Sequence, residues 1–62
     1  MNEIKIHETE PKQYLGKSHN FTRVSGARSG WFLLREPLKE GTVLSDRDFI
    51  WKYAVLRYET FV

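Results

Sequence analysis

The 62-residue chain has no cysteine, so no disulfide staples it and no thiolate serves as nucleophile or metal ligand. Histidine occurs only at His7 and His19, a separation that fits no zinc-binding spacing. Neither a metal nor a cofactor is expected. The longest unbroken apolar run, Trp31-Phe32-Leu33-Leu34, falls far short of the roughly 20 residues a membrane helix needs. The first residues alternate charged and apolar types, where a signal peptide needs a basic start and an apolar stretch. The expectation is an intracellular, cytoplasmic protein.

Acid is missing from a long internal stretch. Residues 1–10 carry a net charge of −2, residues 11–35 carry five bases and no Asp or Glu, and residues 36–62 carry −1. The overall +2 therefore conceals a basic segment, a sign asymmetry of the kind that marks nucleic-acid or acidic-partner surfaces. Its bases, Lys12, Lys17, Arg23, Arg28 and Arg35, are the first candidates for partner binding.

The length predicts a single domain over 1–62, in which only about 60% of the unfolded chain's surface is buried. Much of the core must come from the nine aromatic residues. Phe21, Trp31, Phe49 and Tyr53 are assigned to it. Trp51 and Tyr58 are left as candidates for an exposed aromatic patch.

Period-2 alternation places Ile4 and Ile6 on one face of a strand over 2–7, with Glu3, Lys5 and His7 opposite. Pro11 is expected to end this region, and 14–20 reads as a connection. Two β-prone runs, 21–25 and 31–36, flank Ser25–Gly30, whose two glycines supply positive φ, and so predict an antiparallel hairpin. Pro37 closes the second run. Lys39–Thr42 reads as a turn and Val43-Leu44 as a short extended step. Ser45 is a helix cap, with Asp46 and Asp48 favouring the positive end of the dipole.

Beyond that turn a helical wheel has no polar face. A strand fits if Phe49, Trp51, Tyr53 and Val55 share one parity, and if a bulge at 55/56 then switches the apolar positions to Leu56, Tyr58, Thr60 and Val62. The fold expected is a small β-rich α+β domain. It comprises an antiparallel sheet of three to four strands, about 2–7, 21–25, 31–36 and 50–61, and one helical turn near 45–49. The alternative is a three-stranded sheet with a C-terminal helix over 46–58.

Residues 36–49, Glu-Pro-Leu-Lys-Glu-Gly-Thr-Val-Leu-Ser-Asp-Arg-Asp-Phe, resemble the central stretch of SAF domains, the small β-clip modules related to antifreeze proteins. The resemblance covers about a quarter of the chain. It implies a turn at 39–42, a helical turn at 45–49 and a strand after it.

No nucleophile, base or metal cluster meets the geometric requirements of catalysis, so no catalytic residue is assigned and no enzyme is expected. Ser25–Gly30 lacks the Gly-Lys-Ser/Thr ending of a phosphate loop. Two readings remain. The first is a small regulatory or inhibitor-type module that docks on a larger protein, of the sort phages and mobile elements direct at host transcription or replication machinery. The second is direct nucleic-acid binding through the basic segment 11–35.

Overall fold

The computed structural model describes residues 2–58. Five strands form one antiparallel sheet in the order β4-β1-β2-β3-β5. They are β1 (Glu3–Tyr14), β2 (Lys17–Gly26), β3 (Gly30–Leu34), β4 (Val43–Ser45) and β5 (Ala54–Arg57). A helical turn α1 (Asp46–Asp48) leads directly into a π-helical turn, Phe49–Tyr53.

The predicted β-rich class with one short helical region holds, but the strand count and several limits do not. β1 continues through Pro11 because the outer flank of this strand is covered by β4 only at Glu3–Lys5. Proline is tolerated at such an edge. The expected connection at 14–20 is instead a two-residue hairpin loop, Leu15-Gly16, with φ of 51° and 77°. Positive φ at both loop residues matches the right-handed twist of the flanking strands and keeps the hairpin tight. β2 accordingly starts at Lys17, and β3 ends at Leu34.

β1 carries a bulge. Ile6 pairs with Val24 and Thr9 with Thr22, so His7 and Glu8 together face the single residue Arg23. The extra residue reverses the alternation. Without it Glu10, Lys12 and Tyr14 would share the face of Ile4 and Ile6; with it they move to the opposite face, beside Phe21.

That core face holds buried Ile4, Ile6, Val24, Phe32 and Phe49, with Leu34, Leu38, Leu44, Tyr53 and Ala54 packed against them. Phe32 and Phe49 meet edge-to-face at 5.2 Å, a contact that contributes about 0.5–1.5 kcal/mol beyond its area.

The other face has its own centre. Phe21 is fully buried there, 5.0 Å from Tyr58, 6.2 Å from Tyr14 and 6.4 Å from His19 between ring centroids. Leu33, which pairs with Phe21, and Leu56, which pairs with Leu33, lie on the same face.

The C-terminal third departs furthest from expectation. Residues 50–53 are helical, so the strand predicted over 50–61 is confined to 54–57 within the described residues, and 59–61 lie outside them. The alternative helix over 46–58 is also corrected, since it ends at Tyr53 and Ala54–Arg57 pairs with β3. The Ala54 amide donates to the Phe49 carbonyl, five residues back. This wide turn keeps Phe49, Tyr53 and Ala54 toward the core while Ile50 and Trp51 face outward. Neither a 3.6-residue wheel nor strict alternation describes that pattern. The expected bulge is present, because Leu33 pairs with Leu56 and Leu34 with Ala54, leaving Val55 unpaired. The hairpin around Ser25–Gly30, the turn at 39–42 and the Ser45 cap also form.

No described helix is long and apolar enough to cross a membrane.

Candidate partner-binding site

The fold interleaves the charge blocks that the sequence separates. Arg23, on β2, meets Glu8 of the β1 bulge through two guanidinium hydrogen bonds of 2.9 Å each. The hydrogen bond from Arg23 pulls the Glu8 carboxyl down to about 2 and raises the guanidinium in turn. Arg28, in the β2–β3 loop, reaches Asp46 at the start of α1 with bonds of 2.6 and 3.0 Å. That contact lowers the Asp46 carboxyl and raises the Arg28 guanidinium. Both pairs are two-pronged and charge-assisted, so both arginines are already engaged by carboxylates.

Lys12 is engaged more fully. Its Nζ lies 2.9 Å from the Glu10 carboxylate, 4.3 Å from the Trp31 ring centroid and 5.4 Å from that of Tyr58. Lys17 and Arg35 are exposed and make no ion pair among the described residues. Lys12 and Arg23 share the face of Trp31, and Arg28 sits apart in the β2–β3 loop beside α1.

The two predicted aromatic residues also separate. Tyr58 is half-buried over Phe21 on the second face of the sheet. Trp51 stands 77% exposed on the π-helical turn, next to Ile50 at 41%. Together with Arg28, Asp46, Arg47 and Asp48 they line a surface groove of about 660 Å³. Ser45 positions this wall, because its Oγ accepts from the Asp48 amide at 3.1 Å and fixes where the chain turns into the helix. The Arg28–Asp46 pair ties the β2–β3 loop to the same wall.

Sequence reasoning identified Trp51 but missed Ile50 beside it. It also missed Leu15 at the β1–β2 hairpin tip, 85% exposed. Leu15 projects because it sits in the two-residue hairpin loop between Tyr14 and Lys17, a turn that a lone Leu-Gly signals only weakly.

His7 lies on β1 at the bulge and is half-buried. Its Nε2 lies 2.6 Å from Ser25 Oγ, within reach of a base–nucleophile pair. Among the described residues no carboxylate hydrogen-bonds the other ring nitrogen, so the group that would orient such a base is missing. Among the described residues, too, no three His, Cys, Asp or Glu side chains cluster as metal ligands.

No protein-family model matches this chain, and neither the curated proteins nor the solved structures provide a match.

Proposed function

We propose that the protein is a non-enzymatic docking module that binds a larger protein partner through the π-helical turn, with Trp51 as the anchor. The exposure of Trp51 carries this reading. A tryptophan offers a large rigid apolar surface, and burying it in a partner's pocket releases more free energy than most side chains. Here it stands beside Ile50 and within a rim of charged residues, the arrangement of interface hot spots. The turn that presents it is π-helical, a geometry that recurs at functional sites. Regulation or inhibition of transcription or replication machinery is one role such a module would serve.

The engagement of Lys12, Arg23 and Arg28 by carboxylates weakens the second reading, nucleic-acid binding through 11–35, because a phosphate would have to displace an existing partner at each.

The test is affinity capture from lysate of the source cell, with and without nuclease. Wild type would be compared with Trp51→Ala and with the triple variant Lys17→Ala, Arg23→Ala, Arg35→Ala, whose positions lie outside the groove. The expected result is a nuclease-resistant partner lost with Trp51→Ala and retained by the triple variant. Capture that survives Trp51→Ala, or disappears with nuclease, overturns the proposal.

A further inference from the structure

Lys12 occupies a site built for a cation. Two aromatic rings and a carboxylate surround its ammonium: Trp31 at 4.3 Å, Tyr58 at 5.4 Å and Glu10 at 2.9 Å. Both ring distances are within the roughly 6 Å at which a ring's negative face attracts a cation. The three groups come from different elements. Glu10 stands on β1 before Lys12, Trp31 is on β3, and Tyr58 follows β5. They meet because the His7–Glu8 bulge turns Glu10 and Lys12 onto the face of Phe21, and because the Tyr58 amide bonds to the Trp31 carbonyl at 2.7 Å. The edge contact of Phe21 with Tyr58 supports one wall from beneath.

The occupant retains access to water. Lys12 is a flexible side chain, and 21% of it remains open to solvent. A lysine stem can carry its ammonium out to water, giving up the Glu10, Trp31 and Tyr58 contacts, and that loss is what a competing cation has to outweigh. The rings are held by the pairing of β3, by the Tyr58 amide bond to the Trp31 carbonyl and by the buried Phe21 beneath Tyr58.

We propose that Glu10, Trp31 and Tyr58 form a recognition site for an alkylammonium group, and that Lys12 fills it in the free protein as an internal competitor. The group that displaces Lys12 is an ammonium on a partner, a lysine side chain or its methylated form. Trimethylation favours the exchange, since it weakens hydration of the cation while keeping its attraction to the rings. This site is separate from the Trp51 groove and does not depend on the docking role assigned to it.

The experiment uses a Trp51→Phe background, in which Trp31 is the sole tryptophan, and follows its fluorescence. Proteins with and without Lys12→Ala are titrated with tetramethylammonium chloride, with tert-butanol as the neutral shape control and with sodium chloride at matched ionic strength. Short peptides carrying one lysine or one trimethyl-lysine form the second arm. The expected result is a saturable response to tetramethylammonium in the Lys12→Ala protein. Its midpoint should lie at least tenfold below that of the Lys12 protein, and neither control should reproduce it. Glu10→Gln in the same protein should raise the midpoint several-fold. A trimethyl-lysine peptide that binds more tightly than tetramethylammonium assigns the ligand to a protein side chain; equal midpoints assign it to a free small cation.

The proposal fails if a folded Lys12→Ala protein gives no ion-specific response, or if both proteins respond at the same concentration. Should Lys12→Ala not fold, the Lys12 side-chain protons of the otherwise wild-type protein provide the readout by NMR. They should begin upfield of the ordinary lysine position and move back toward it as tetramethylammonium is added. Resonances that never move overturn the proposal.

Discussion

The β1–β2 hairpin places a leucine in left-handed backbone, where glycine or asparagine is the ordinary occupant. Leu15 has φ of 51° and is 85% exposed, so it meets the steric cost of left-handed backbone while burying little surface in return. For an L-residue with a full side chain that cost is roughly 1–2 kcal/mol. Asparagine adopts the region more readily, and Asn-Gly is a favoured pair for two-residue hairpin loops with positive φ at both positions. Leu15→Asn should therefore stabilise the protein by about 0.5–1 kcal/mol, a part of the strain it relieves. For a domain of this size each kcal/mol moves the melting temperature by about 4–8 °C, so the expected rise is about 2–8 °C. Thermal melts followed by circular dichroism, paired with urea titrations, measure it. Leu15→Ala is the control, since it removes the exposed side chain but keeps the Cβ that causes the strain. If Leu15→Asn melts no higher than Leu15→Ala, the left-handed residue is not a significant source of strain and the reasoning fails.

Two further perturbations test other parts of the structure. Gly26 has φ of 111°, and a Cβ added there would collide with the Glu3 carbonyl oxygen and sit 3.4 Å from the Ile4 Cα, whereas one added at Gly16 meets nothing within 4 Å. Gly26→Ala should thus cost more than the roughly 1–3 kcal/mol of backbone strain alone and clearly more than Gly16→Ala; equal losses in urea denaturation would contradict the close β1–β2 approach. Glu8 has its carboxyl lowered from 4.5 to about 2 by the hydrogen bond from Arg23, so its contribution is fully present above pH 4.5 and is lost as pH falls toward 2. The difference in melting temperature between wild type and Glu8→Gln should be constant above about pH 5 and close on acidification toward pH 2; a pH-independent difference would show that the pair does not act through ionisation.

Local signals in the sequence were legible where one residue type suffices to fix the backbone. Ile4 and Ile6 marked the core face, Gly26 and Gly30 the hairpin, Gly41 the turn and Ser45 the cap, because each acts through its own conformation or hydrogen bond. The limits of β1 were not legible. Pro11 looks like a terminator from its own chemistry, and only the absence of a strand beyond it on that flank makes it acceptable. The bulge at His7–Glu8 was hidden for a similar reason, since no glycine marks it and its effect appears only in the register with β2. Charge was the least legible feature. The basic block is real in the sequence, yet Glu8 and Asp46, which engage two of its arginines, lie 15 and 18 residues away along the chain. Long-range strand pairing and the loop's contact with α1 decide those partners.

The distribution of aromatic rings gives Trp51 its significance. A sheet this small has two faces to cover, and each draws on rings: Phe32 and Phe49 centre one, Phe21 the other. Tyr53 packs against the first cluster, while Tyr14 and Tyr58 border Phe21 and Trp31 stacks on Lys12. Every described ring except one is thus engaged within the fold. The exception stands on the π-helical turn, a rare local geometry. An extended segment over 49–53 would turn Trp51 to the same side as Phe49 and Tyr53, whereas an α-helical one would separate Trp51 from them but bring Ile50 and Ala54 to one side. The π-helical turn keeps Phe49 and Tyr53 inward and Trp51 in solvent. Packing accounts for the burial of Phe49 and Tyr53, while the exposure of Trp51 is the observation on which the proposed docking role rests and which Trp51→Ala tests.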